Sequence, residues 1–141
     1  MKPFLCILLL SICLSLTVQA QTISLTVNGF NNQKGVCLAC LYRNAEGFPT
    51  KLSKALNCIN AKIVGSSATL SFTNVPTGTY ALAIVHDENS NGDMDTNFMG
   101  IPREGYGASN NSLSRFGPPR FANAAFRVEK ADTRLTIDMR Y

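Results

Sequence analysis

Between residues 22 and 141 apolar side chains recur at every second position, in short runs broken by turn residues. That alternation suits strands with one face buried, and it leaves little room for helix. "TISLTVNGF", beginning at Thr22, sets Ile23, Leu25 and Val27 on one face. "GVCLACLY" does the same with Val36, Leu38, Cys40 and Tyr42, and its other face is nearly as apolar, so this strand is expected to be central. "CINAKIVG" offers Ile59, Ala61 and Ile63, and "ATLSFTNV" offers Leu70 and Phe72. "TYALAIVH" carries Tyr80, Leu82 and Ile84 against Ala81, Ala83 and Val85. "AAFRVEK" and "RLTIDMRY" complete the set, the latter pointing Leu135, Ile137 and Met139 one way. Asn28-Gly29, "NNQKG", "VPTG" and "KADT" supply the turns. Only residues 49–57, "PTKLSKALN", could form a helix, and a short one. The expectation is an all-β fold: a single antiparallel β-sandwich of about seven strands, immunoglobulin-like in outline. Residues 98–120, rich in Gly, Pro, Asn and Ser, form one long irregular loop of a length that is usually functional or disordered.

Residues 1–20 read as an export signal. Lys2 gives the positive start, Phe4 to Leu16 the apolar stretch, and Val18-Gln19-Ala20 the small-residue cleavage site. The apolar run is short for a membrane span. Ile12 before Cys13 does not fit a lipoprotein signal. A periplasmic or secreted domain over residues 21–141 is therefore expected, with no membrane span after signal removal. The formal charge of +4 includes Lys2, the remaining basic residues are scattered, and tryptophan is absent. Nucleic-acid binding leaves a clustered basic footprint, and none is present here. Removal of the signal leaves Cys37, Cys40 and Cys58. Three strand residues separate Cα atoms by roughly 10 Å, beyond the limit of about 7 Å for a disulfide, so Cys37 and Cys40 cannot pair within one strand. A bridge, if formed, includes Cys58, with either Cys37 or Cys40 as its partner.

The segment "HDENSNGDMDTN", residues 86–97, carries the chemistry. Asp87, Asn89 and Asn91 fill places one, three and five of a calcium-type loop. Gly92 is sixth, Asp93 seventh and Asp95 ninth. Asp87, Glu88, Asp93 and Asp95 crowd four carboxylates together, and no Lys or Arg lies between Lys62 and Arg103. A divalent cation would relieve that repulsion, and oxygen ligands favour calcium over a transition metal. Phe98 occupies the twelfth place, where such loops carry a bidentate glutamate, so affinity should be weak unless Glu104 supplies the carboxylate. The competing reading is a plain turn, since Asn91-Gly92 is a strong hairpin dipeptide.

His86, the only histidine, would have to serve any small hydrolase, and Cys37-Cys40 any thiol redox site. The sequence marks no partner set for either, and His86 is expected to cap or pack at its strand end. Tyr106, Phe116 and Arg120 could line a sugar or peptide pocket, or simply pack the long loop.

"FTNVPTGTYALAIVHDENSNGDMDTNFMGIPREGYGASNN" followed by "FGPPRFANAAF" resembles the bacterial domain-of-unknown-function family 2141. The resemblance covers nearly the whole chain after the signal and implies an exported bacterial protein without an established activity. The "F-x-x-V-P-x-G-x-Y" approach also resembles transthyretin-like and carboxypeptidase-regulatory-like sandwiches, which supports the fold and says little about function. The sequence thus leads to the expectation of an exported, non-enzymatic sandwich with calcium ligands Asp87, Asn89, Asn91, Asp93, Asp95 and Glu104, the bound ion ordering the adjacent long loop. Phe98 and Met99 are expected to bury themselves as anchors while residues 100–107 fold over the acidic segment. The alternative is a module that binds a cell-surface or periplasmic protein or glycan through residues 98–120 without metal.

Overall fold

A computed structural model describes residues 20–141 apart from 113 and 115; the expected signal, but for Ala20, lies outside the described residues. Eight strands run through the described chain in two sheets. They are β1 (Gln21–Asn28), β2 (Val36–Tyr42), β3 (Asn57–Ala61), β4 (Ser67–Val75), β5 (Gly78–Asp87), β6 (Tyr106–Ala108), β7 (Phe126–Val128) and β8 (Thr133–Asp138). One sheet has the order β4-β1-β8; the other runs β3-β2-β5-β6, with β7 paired to the start of β5. The all-β sandwich read from the alternation is what the chain forms. The eighth strand, β6, rises out of the long loop, where three residues with a glycine before them and another at their centre show no alternation to betray it.

One pair breaks the antiparallel pattern. β1 and β8 run parallel from Ile23 opposite Thr133 to Asn28 opposite Asp138. They lie far apart in sequence, so no hairpin constrains their direction, and a parallel pair needs a long crossover of this kind. The helix expected within residues 49–57 shrinks to a 3-10 turn, Leu52–Lys54, preceded by a cis Phe48-Pro49 bond. A four-residue helix, α1 (Phe121–Ala124), follows the long loop.

The sandwich interior takes Ile23, Leu25 and Val27 of β1, Leu70 and Phe72 of β4, Tyr80, Leu82 and Ile84 of β5, and Ile137 of β8. Each large side chain so buried contributes about 1.5–3 kcal/mol. β2, flanked by β3 and β5, is the central strand its two apolar faces require. Its Cys37, Ala39 and Leu41 face the interior. Leu38, Cys40 and Tyr42 form a second cluster with Ala83 and Val85 on the outer face of the sheet. Phe48, Leu52, Ala55, Met94 and Phe121 pack over that cluster, so the loops serve as a partial third layer.

Cys40 lies opposite Cys58 in the β2–β3 pairing, and the two form a disulfide with Cα atoms 4.1 Å apart. Odd spacing places Cys37 on the other face, buried and unbridged. Its burial pushes the thiol pKa up to about 12, which removes the thiolate needed for reactivity. Two outcomes are expected. The chain from Gln21 onward, denatured without reductant, should titrate with the single free thiol of Cys37, which in the folded protein should resist alkylation at pH 8. The Cys40→Ala, Cys58→Ala double variant should lose about 3 kcal/mol in urea unfolding, the loop-closure contribution for a bridge of this span.

Candidate functional site

β5 is buried from Tyr80 through Asp87, so the strand drives polar residues into the interior at its end. His86 is fully buried and uses both ring nitrogens. Nε2 lies 2.9 Å from the Lys34 carbonyl, which can only accept, so that nitrogen carries the proton. Nδ1, 2.8 Å from the Tyr141 hydroxyl, then accepts from it in the neutral ring. The same hydroxyl accepts the Asn31 N–H. Burial raises the Tyr141 pKa above its usual value, with the Asn31 contact opposing, and a protonated hydroxyl suits the donor role. His86 thus packs at its strand end, its ring nitrogens bonded to Tyr141 and Lys34 rather than to Ser or Cys.

Asp87 continues the strand and begins the loop. Gly35 lies against its backbone with φ +61°, and a Cβ there would collide with the Asp87 carbonyl. The Asp87 carboxylate turns back into the loop, accepting the Asn91 N–H at 3.0 Å and the Gly92 N–H at 2.8 Å. The Asn89 Nδ2 donates to Asp95 Oδ2 at 2.7 Å, and the Asn91 Nδ2 to Asp95 Oδ1 at 2.9 Å. Asn89 and Asn91 meanwhile accept the backbone N–H groups of Asn91 and Asp93 through their side-chain oxygens. Asp87, Asn89, Asn91 and Asp95 are therefore brought together, as the spacing suggested, while Asp93 joins the network through its backbone N–H. The converging set is two carboxylates and two amides. Among the described residues no group of three or more His, Cys, Asp and Glu is arranged to hold a metal ion.

Glu104, only 6 % exposed, reaches the same place by another route. Its Oε1 accepts the Glu88 N–H at 2.9 Å and its Oε2 the Asp95 N–H at 3.0 Å. One carboxylate thus ties the two ends of the acidic segment together. The expected approach of residues 100–107 to that segment is present, with the Arg103 N–H on the Asp95 carbonyl and both Glu104 oxygens on backbone N–H groups. The sequence could place Glu104 near the site and could not reveal that backbone donors would take both its oxygens.

The expected anchors do the opposite of anchoring. Phe98 is 98 % exposed, Met99 68 % and Ile101 53 %. Asn97 closes a tight turn here: its Oδ1 accepts the N–H groups of Met99 and Ile101, and its own N–H bonds the Ile101 carbonyl. The turn projects the three apolar side chains into solvent, and Met94 fills the packing role against the outer cluster instead. Of the proposed pocket residues, Tyr106 is half-buried in β6 and Phe116 stands 92 % exposed. Arg120 is exposed just before α1.

Residues 25–136 match the family described as uncharacterized protein conserved in bacteria, DUF2141. The chain belongs to this family. The match runs from β1 into β8 and takes in the whole acidic loop, so in this DUF2141 protein loop and sandwich are one unit. No curated protein and no solved structure matches the chain.

Removing the charge on Glu104 should expose how much the loop depends on it. Glu104→Gln replaces one accepting oxygen by an amide that faces an N–H donor, which should cost about 1–3 kcal/mol. Amide hydrogen exchange at Glu88 and Asp95 should rise in that variant, while exchange in β1 and β2 stays at the wild-type rate.

Proposed function

We propose that this is an exported, non-enzymatic β-sandwich whose acidic loop takes up calcium weakly. The reading rests on one observation: Asn89 and Asn91 both turn their side chains onto the Asp95 carboxylate, beside Asp87. Rotating the two amides by half a turn would present Oδ1 atoms where Nδ2 atoms now sit, next to the Asp95 oxygens. Such oxygen-rich sets suit a hard cation. The rotation gives up hydrogen bonds the loop already makes, and no bidentate glutamate occupies the twelfth place. Affinity is thus in the range of extracellular modules, about 10⁻⁴–10⁻³ M. Glu104 braces the loop, its two oxygens each accepting one backbone N–H as those of Asp87 do, and each oxygen keeps a lone pair for a cation. Calorimetric titration of the folded protein with calcium should show saturable heat and an upward melting shift at millimolar ion. Asp95→Ala should abolish both. A folded protein giving neither signal would make the segment a turn alone.

A second reading, binding of a protein or glycan without metal, is favoured by the exposure of Phe98, Met99 and Ile101. Apolar groups held on a hydrogen-bonded turn gain nothing for the fold, and contiguous exposed apolar surface commonly marks contact sites. A photoreactive side chain at position 98 should yield a discrete adduct in intact producing cells, insensitive to a calcium chelator. The same probe at exposed Val64 serves as the control. Equal, diffuse labelling from both positions would remove this reading.

A further inference from the structure

Asn91-Gly92 draws attention for its covalent chemistry. An exposed asparagine followed by glycine offers the least hindered route to a cyclic imide, because glycine places no side chain beside the attacking nitrogen. Gly92 has open space around it and a φ of +81°. Every group the reaction needs is nevertheless occupied. The attacking nitrogen, Gly92 N, has its hydrogen committed to Asp87 Oδ2 at 2.8 Å. The Asn91 amide that would be attacked is pinned by two hydrogen bonds, with Nδ2 on Asp95 at 2.9 Å and Oδ1 on the Asp93 N–H at 2.9 Å. A carboxylate against the Gly92 N–H also opposes loss of that proton, since the resulting anion would face a negative charge.

We propose that Asn91-Gly92 is a latent deamidation site gated by the Asp87 carboxylate. When the loop opens, Gly92 N loses its proton to solvent and attacks Asn91 Cγ. The bond from Cγ to Nδ2 breaks, and ammonia leaves with a proton from water. Water then opens the cyclic imide at either carbonyl, giving aspartate or isoaspartate at position 91. In the aspartate product the amide donor to Asp95 is replaced by a carboxylate, so two negative groups face each other where a hydrogen bond stood; in isoaspartate the backbone runs through the former side chain, and the amide donor is lost there too. The modified loop re-forms poorly unless a cation lies between them. That consequence extends the calcium reading; the deamidation itself does not depend on it.

The second Asn-Gly pair, Asn28-Gly29, is an internal control. It ends β1, with the Gly29 N–H bonded to the Ser66 carbonyl at 2.9 Å and the Asn28 side chain to Ser67. The purified protein is incubated at neutral pH, folded and in urea, and amide-to-acid conversion at both sites is followed by peptide mass spectrometry. Conversion at Asn91 in the folded protein should be at least roughly tenfold slower than in urea, because it requires local opening. In Asp87→Ala it should approach the urea rate while Asn28 stays slow. Conversion at Asn91 as fast in the folded wild type as in urea would overturn the gate, and this comparison needs no variant. The cation requirement is read separately, from Asn91→Asp in the presence of a chelator. A melting temperature below wild type, recovered with calcium, is expected. An unchanged melting temperature in chelator would overturn the facing-carboxylate consequence and leave the gate standing. A lowered melting temperature that calcium fails to restore would overturn the cation requirement.

Discussion

β5 is buried on both faces, and the rest of the structure is arranged around the consequences. Tyr80, Leu82 and Ile84 fill the sandwich interior, while Ala83 and Val85 build the outer cluster. A strand buried in this way cannot end in polar residues without giving each a partner, because an unpaired polar group in a dry interior costs about 1–3 kcal/mol. His86 obtains partners from the turn before β2 and from the last residue of the chain. Asp87 obtains them by folding the following segment back over itself. The acidic loop is therefore built outward from a buried carboxylate, and no buried side-chain polar atom among the described residues lacks a partner.

The same requirement explains why two distant parts of the chain meet at this end of the sandwich. Tyr106 exchanges backbone hydrogen bonds with Arg140, which brings the chain's last residues beside β6. Residue 141 then reaches His86, and residue 104 reaches the loop. β6 is short, but it fixes the position of Glu104 two residues earlier, and Glu104 in turn fixes both ends of the acidic segment. The hydrogen-bonded base contrasts with the tip, where Asn97 organises a turn whose apolar side chains stay exposed.

Much was legible in the sequence. Alternation identified seven of the eight strands and the core positions of β1, β4, β5 and β8, because side-chain direction in a strand depends only on parity. The central place of β2 was readable from its two apolar faces. Geometry along a single strand ruled out a Cys37–Cys40 bridge, but only strand register chose Cys40 over Cys37 as the partner of Cys58. The acidic spacing put Asp87, Asn89, Asn91 and Asp95 in one segment, and in the structure they share one hydrogen-bond network. Phe98 and Met99 were misread as anchors because apolar character was taken as a wish for burial. Whether a core has room is not a property of the side chain that seeks it, and Met94 had already taken the available place.

What the sequence by itself determined is periodic or local: strand identity, turn positions, the oxygen-rich spacing and the family. The first three follow from dihedral preferences and from which residues share a face, both set within a few positions, and the family follows from the match of residues 25–136. Only the tertiary structure decided the parallel pairing of β1 with β8, the emergence of β6, the disulfide register and the embrace of His86 by Tyr141. It also decided that Glu104 would brace backbone N–H groups and that the loop's apolar tip would face solvent. Each of these depends on which distant groups compete for the same buried space or the same hydrogen-bond donor. That competition exists only once the sheets are packed.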